Sequence, residues 1–139
     1  MAGVVIVSYN SGYCVGRCLD ACIEQGVANI VLVDNASEDN TVEEANRRHG
    51  VRVIANTTNR GFAAAVNQGV ENLDDPAVLI LNPHTVVGKG ILDLETALRP
   101  ETVGAATGTL IGVDGHPQDG FNVRAFPTPL TLICELLGL

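Results

Sequence analysis

The stretch that decides the fold is Gly3-Val4-Val5-Ile6-Val7-Ser8, an almost entirely β-branched run near the start of the chain. Ser11 follows it and precedes a segment with apolar residues at positions 14, 15, 18, 19, 22 and 23. Gly26 then separates this segment from a second apolar run, 29–33. The order predicts a strand, a helix with Ser11 as its N-cap and Gly26 as its C′ residue, and a second buried strand ending at Asp34.

The same alternation continues along the chain. Residues 37–48 predict a polar helix capped within 37–40, and residues 62–73 predict a third helix that Pro76 ends. Residues 51–55 and 77–81 predict the third and fourth strands. Because strands of parallel sheets read as apolar runs, the βαβαβαβ order predicts an α/β fold with a doubly wound, mostly parallel sheet.

The pattern is weaker beyond residue 87. The expected elements there are a helix, a strand, a turn and an apolar helix, over 90–98, 103–111, 113–117 and 127–139 respectively. We expect a single domain over 1–139.

The composition of the chain argues against several classes of protein. The chain has 139 residues with 46% hydrophobic content, which suits one folded domain and excludes disorder. Acidic residues outnumber basic ones 16 to 8, which argues against a general nucleic-acid binder. No stretch reaches the roughly 18 apolar residues of a membrane span, so we expect a cytoplasmic protein. Cys14, Cys18 and Cys22 share one helix side and are interpreted as buried small hydrophobes rather than metal ligands, and Cys134 stands alone.

Polar residues collect where the predicted strands end. Parallel sheets bind ligands beyond the carboxyl ends of their strands, here 8–10, 34–35, 56–61 and 82–85. Dinucleotide and P-loop signatures, zinc-hydrolase motifs and the serine-esterase elbow are absent from the sequence. A phosphoryl receiver domain is disfavoured because it would want an acidic pair where this chain has Ser8-Tyr9-Asn10.

Four segments at these strand ends resemble glycosyltransferase family 2, and in particular its rhamnosyltransferase-like members. They are Val5–Ser11, Val33–Asp39, Asn59–Gly69 and Leu79–Thr85. The resemblance implies the donor-binding half of an inverting enzyme with the glycosyltransferase A fold. In that half, 1–87 would be the nucleotide-sugar-binding core and 88–139 the start of an incomplete acceptor-side region. Such an enzyme transfers a sugar from a nucleoside diphosphate to an acceptor hydroxyl, and we expect a role in cell-surface polysaccharide synthesis. The acceptor would be a sugar or a lipid-linked molecule, met at the inner face of the membrane.

The resemblance also implies which residues meet the nucleotide. Tyr9 would contact the base, and Asp34 would accept a hydrogen bond from the base or ribose without being buried; the alternative is that Asp34 and its neighbour only form a turn and cap. Arg60 would contact the nucleotide, unless it is an ordinary solvated arginine. Asn67 would hold the loop of Asp34 or of Asn82. The complete candidate set is Ser8, Tyr9, Asn10, Asp34, Asn35, Asn59, Arg60, Gly61, Asn67 and Asn82.

His84 departs from the family pattern, because relatives usually carry Asp there to hold Mn²⁺ or Mg²⁺ against the diphosphate. Oxygen ligands suit these hard cations better than imidazole does. Three alternatives stay open: His84 ligates a softer ion, protonated His84 pairs directly with phosphate, or metal binding is lost. A simple capping role is a fourth interpretation. His49 and His116 are interpreted as surface residues.

No catalytic residue is assigned. The family's general base comes from a segment beyond the donor-binding half, and neither Asp114 nor Asp119 lies in a matching context. We therefore expect nucleotide binding with little turnover, and the alternative function is a non-catalytic sugar-nucleotide-binding module. We also expect a homodimer through the apolar segment 127–139.

Overall fold

The computed structural model describes residues 2–118, with nothing assigned to the side chain of Leu92. Four parallel strands form one sheet in the order β3-β2-β1-β4. The strands are β1 (Gly3–Ser8), β2 (Ile30–Asp34), β3 (Val51–Ala55) and β4 (Val78–Leu81). The helices are α1 (Val15–Glu24), α2 (Thr41–Asn46), α3 (Phe62–Val70) and α4 (Ile91–Ala97). The predicted α/β architecture and element order are confirmed.

Both faces of the sheet are covered, which explains why β1 and β2 are apolar throughout. Val4 and Ile6 of β1 belong to a core with Leu19 of α1. Val5 and Val7, which alternate with them, belong to a second core that includes Ala65 of α3. Successive strand residues point to opposite faces, so a strand buried on both sides has no polar positions to offer.

The cysteines of α1 are part of the first core. Cys18 and Cys22 are fully buried, and Cys14 at the helix N-cap is 5% exposed. The interpretation of these residues as small buried hydrophobes is confirmed.

The start of α1 differs from the prediction. The helix begins at Val15 and Cys14 is its N-cap, so the prediction of Ser11 as the cap is wrong. The Ser11 backbone amide instead donates to the Thr41 hydroxyl at 2.8 Å. The end of the helix agrees with the prediction, because Gly26 and Val27 donate to the carbonyls of Ile23 and Cys22, the paired bonds of a Schellman motif.

Helix α2 is shorter than expected. It spans Thr41–Asn46, and its N-cap Asn40 makes no side-chain capping bond. Arg48 lies beyond its end and holds Asp20 of α1 through two bonds of 2.7 and 2.9 Å. These bonds lower the pKa of the Asp20 carboxyl. The sequence pattern predicted a helix as far as Arg48, because a polar residue within a helix and a polar residue that forms an ion pair just beyond it look the same in sequence.

The chain divides into two compact units, Met1–Ala106 and Thr107–Leu139. Residues 103–110 form no strand, so the strand predicted over 103–111 is wrong. The described part of the second unit contains a turn, in which the Gly112 amide donates to the His116 carbonyl at 2.8 Å; this confirms the turn predicted over 113–117.

The predicted helix 127–139, the dimer proposed through it, Asp119 and Cys134 lie outside the described residues. Among residues 2–118, every helix is too short or too polar to span a membrane.

Candidate functional site

The carboxyl ends of the strands meet at one edge of the sheet. Ser8 pairs with Asp34 across β1 and β2, and Asp34 pairs with Ala55 across β2 and β3. Strand β4 runs parallel to β1 on its other side, with Leu81 opposite Ile6. The loops that leave the four strands therefore share one end of the sheet, which is where ligands of such sheets bind.

Asp34 is a buried junction between two of these loops. Its side chain is 1% exposed and accepts hydrogen bonds from the Ser8 hydroxyl at 2.9 Å and from the Ser37 amide at 2.8 Å. The Ser37 hydroxyl donates to it as well. The expectation of a carboxylate that works without being buried is wrong, since hydrogen bonds from both loops replace water around it.

Asn35 joins the second loop to the third. Its amide nitrogen donates to the Gly61 carbonyl at 3.2 Å, and its oxygen accepts from the Asn56 side chain at 3.2 Å and the Arg60 amide at 3.4 Å. The Asn35 backbone amide donates to the Ser8 carbonyl. Like Asp34, this buried residue organises the loops from beneath.

The first and second loops also bond directly to each other. The Asn10 amide donates to the Ser37 hydroxyl at 2.8 Å, and the Asn10 side-chain oxygen accepts from the Glu38 amide at 2.9 Å. Asn10 and Ala36 have positive φ angles of 49° and 66°, which is uncommon for residues other than glycine. These reciprocal bonds hold the strained backbone in place.

Several candidates lie exposed at the same edge. Tyr9 is 53% exposed, so the alternative that it belongs to the core is wrong. Arg60 is exposed in the third loop and Asn82 in the fourth. The Asn59 side chain accepts from the amide of Gly61, whose φ of 81° suits glycine. These residues surround the buried junctions and are open to a ligand.

Asn67 does not hold either loop. It is exposed on α3, and the neighbouring Gln68 makes the reciprocal bonds to Asn56, each 3.0 Å long. A polar side chain of α3 does bond to a strand-end loop, but it is Gln68, one residue after the predicted Asn67.

His84 joins the fourth loop to the first. Its Nδ1 lies 3.0 Å from the Tyr13 hydroxyl and 3.3 Å from the Cys14 sulfur. The two rings are tilted with centroids 5.6 Å apart. The backbone amide of His84 donates to the Asn82 side-chain oxygen at 3.1 Å. His84 is thus held by two side chains that are 70 and 71 positions away in sequence.

The side chains around His84 do not fit Mn²⁺ or Mg²⁺. Both ions favour carboxylate and carbonyl oxygens, whereas the imidazole here meets a phenol and a thiol. The Asn82 side-chain oxygen is already an acceptor for the loop backbone. Over residues 2–118, no group of three or more His, Cys, Asp or Glu side chains is placed to hold a metal ion.

Five bonded residues of this edge were not in the candidate set predicted from the sequence. They are Tyr13, Cys14, Ser37, Asn56 and Gln68. Ser37 had a usable signal, because a serine three positions after an aspartate at a strand end often folds back onto it. The contacts of Tyr13 and Cys14 with His84 had no signal, since no spacing pattern reports a contact between distant loops.

Comparison with known proteins gives a consistent result. The model of the family described as "Glycosyl transferase family 2" matches residues 3–126. An uncharacterized protein of Methanocaldococcus jannaschii is 35% identical over 84 residues, which cover 60% of this chain and 32% of that protein.

Two solved structures have the same fold over most of the chain. A mannosyltransferase from Pyrobaculum calidifontis, solved with GDP-mannose and Mn²⁺, is similar with a TM-score of 0.68 and 25% identity, over 74% of this chain and 33% of the other. TarS from S. aureus is similar with a TM-score of 0.58 and 25% identity, over 70% and 32%. The chain spans about a third of the length of these relatives.

Proposed function

Because this chain belongs to glycosyl transferase family 2, we propose that its strand-end loops bind the nucleoside diphosphate sugar of a sugar-transfer reaction. The observation that carries the proposal is the hydrogen-bonded junction of these loops at the carboxyl edge of the sheet, centred on Asp34 and Asn35. In parallel α/β sheets this edge is where ligands bind.

The two layers of the site have different roles. Buried Ser8, Asp34 and Asn35 fix the shapes of the loops, since their polar atoms are already bonded to protein. Exposed side chains then contact the ligand. These contacts come from Tyr9, Asn10, Asn59, Arg60, Asn82 and His84, with the Gly61 backbone close to the ligand and Asn67 at its margin.

In the reaction, an acceptor hydroxyl attacks the anomeric carbon of the donor. The bond from that carbon to the diphosphate oxygen breaks, and the diphosphate leaves with the bonding electron pair. The hydroxyl proton passes to a general base. Arg60 stabilises the charge that develops on the diphosphate, because a cation beside the leaving group favours a transition state richer in negative charge. Attack opposite the leaving group inverts the anomeric centre, and the product belongs to cell-surface polysaccharide.

Calorimetric titration of the purified chain with UDP, GDP and dTDP and the corresponding sugar nucleotides tests binding. We expect at least one diphosphate to bind more tightly than its monophosphate. Arg60→Ala is expected to weaken that binding about tenfold, the cost of one hydrogen bond to a charged group.

Arg47→Ala is the matched control, since Arg47 is an exposed arginine held by Glu43 and Glu44 beyond the other end of the sheet. It is expected to leave binding unchanged. If no nucleotide binds, or if the two arginine variants behave alike, the proposed function is wrong.

A non-catalytic sugar-nucleotide-binding module is the second candidate. The side chains around His84 are unsuited to a hard divalent cation, and this favours the binding module. Without such a cation, these residues cannot provide metal-assisted departure of the diphosphate. Incubating the chain with radiolabelled sugar nucleotides and a panel of acceptors tests this second candidate. Labelled product overturns it, because a binding module turns over no donor.

A further inference from the structure

The hydrogen-bond partners of His84 determine what its ring offers to a ligand. Nδ1 faces the first loop, with the Tyr13 hydroxyl at 3.0 Å and the Cys14 sulfur at 3.3 Å. The Cys14 sulfur also lies 3.4 Å from the Ser11 carbonyl oxygen. One ring nitrogen is therefore approached by two groups that normally carry a proton.

The thiol proton of Cys14 has an acceptor of its own. A thiol has one proton, and the Ser11 carbonyl accepts it, which leaves the Tyr13 hydroxyl as the group beside Nδ1 with a proton to donate. Burial raises the pKa of the Cys14 thiol, which keeps that proton in place at neutral pH. A proton on Nδ1 instead would make the Tyr13 hydroxyl its acceptor and would find no second strong acceptor, because the thiol sulfur is a weak one.

An unprotonated Nδ1 places the proton of neutral imidazole on Nε2. His84 is exposed at the carboxyl edge, and Nε2 has no hydrogen-bond partner among residues 2–118. A nitrogen that carries a proton donates a hydrogen bond and cannot at the same time ligate a metal. The ring therefore has an N–H group available to a ligand at the carboxyl edge.

We propose that His84 recognises the donor's diphosphate directly through Nε2–H, held in that tautomer by Tyr13 and Cys14, in place of a divalent cation. This inference rests on the proposed function and names the group that meets the diphosphate. Tyr13 and Cys14 act as positioning residues, because they contact His84 and set which nitrogen donates. A hydrogen bond from N–H to a phosphate oxygen is charge-assisted and correspondingly strong.

The first test reads the tautomer without any ligand. Long-range ¹H–¹⁵N correlation spectra of the ¹⁵N-labelled chain distinguish protonated from unprotonated ring nitrogens, and His84→Gln identifies the His84 signals. We expect Nε2 protonated and Nδ1 unprotonated in the wild type. Tyr13→Phe removes the donor to Nδ1. It is expected to raise the ratio of the Nδ1–H tautomer to the Nε2–H tautomer about fivefold, the effect of losing one neutral hydrogen bond. A wild-type ring protonated on Nδ1 overturns the inference.

The second test measures affinity for the nucleoside diphosphate that binds best, with EDTA and with Mn²⁺. The wild type is expected to bind equally in both. His84→Ala is expected to bind about tenfold more weakly in both, while His84→Gln, which keeps an N–H donor near the position of Nε2, recovers part of the loss. His84→Asp is expected to bind poorly in EDTA because its charge repels the diphosphate. His49→Ala is the control, since His49 is exposed beyond α2 near the opposite edge of the sheet.

The outcomes separate this inference from the proposed function. Wild-type binding that requires Mn²⁺, or binding that His84→Ala leaves unchanged, overturns the inference and leaves the proposed function standing. Failure of the wild type to bind any nucleotide diphosphate overturns both.

Discussion

Replacement of Asp34 gives the sharpest test of the loop junction. Three groups donate to its carboxylate: the Ser8 hydroxyl, the Ser37 hydroxyl and the Ser37 amide. In Asp34→Asn, the amide oxygen can still accept from the Ser37 amide, while the new NH₂ group donates to the two hydroxyls, which rotate to accept. All three groups stay bonded to residue 34, and the losses are the charge and the acceptor for the hydroxyl protons, so we expect the free energy of unfolding to fall by about 1 kcal/mol.

In Asp34→Ala the same donors lose their acceptor. Ser8 is 1% exposed, so its hydroxyl has little access to water, and the Ser37 amide is also left without its partner. Each unsatisfied buried donor costs about 1–3 kcal/mol, which gives a loss of about 3 kcal/mol for the pair.

Urea unfolding followed by circular dichroism measures both variants against the wild type. The difference of about 2 kcal/mol between alanine and asparagine is the signature of a satisfied donor network. Equal destabilisation by the two substitutions would refute the reasoning, because it would mean that the charge alone matters and that the three bonds do not.

Three further substitutions test the backbone and the charges. Gly69→Ala places a methyl group 2.5 Å from a Val5 side-chain carbon, so we expect a net loss of about 1 kcal/mol in urea unfolding after the helical gain of alanine is counted; a gain in stability would contradict this close contact. Ala36→Gly relieves a positive φ of 66° and is expected to raise the unfolding free energy by about 0.5 kcal/mol, whereas a decrease would mean that the backbone there is not strained. Arg48 lowers the pKa of Asp20 in the folded state. Ionised Asp20 therefore stabilises the fold above its unfolded pKa of about 4, and this stabilisation is lost as the pH falls through the lower folded pKa. Asp20→Asn is therefore expected to be less stable than the wild type at pH 7, with the difference vanishing in acid, and a constant difference across that range would contradict the ion pair.

The framework of the fold was predictable because it depends on local patterns. Strand β3 agrees with its predicted bounds Val51–Ala55, since a β-branched run has no competing helical period. The end of α1 at Gly26 was predictable for a similar reason. The strand expected over 103–111 fails because an apolar run forms a strand only with a partner, and among the described residues this one has a single bridge, from Ile111 to Pro117.

The site was only partly predictable. Parallel-strand geometry was enough to bring Ser8, Asp34 and His84 to one edge, because the carboxyl ends of all strands share it. Burial of Asp34 was not predictable, since it depends on Ser37 folding back from the next loop. The environment of His84 depends on Tyr13 and Cys14 of the first loop, and only the three-dimensional arrangement reveals those contacts.

Mapping of a bound nucleotide by NMR tests most directly whether the carboxyl edge is the ligand site. The ¹⁵N-labelled chain is titrated with the tightest-binding nucleoside diphosphate while amide chemical shifts are recorded. We predict saturable shifts at Asn10, Gly61 and His84, with no change at Ala28 and Gly50 beyond the opposite edge of the sheet. Shifts concentrated at Ala28 and Gly50, with the strand-end loops unaffected, would contradict the account.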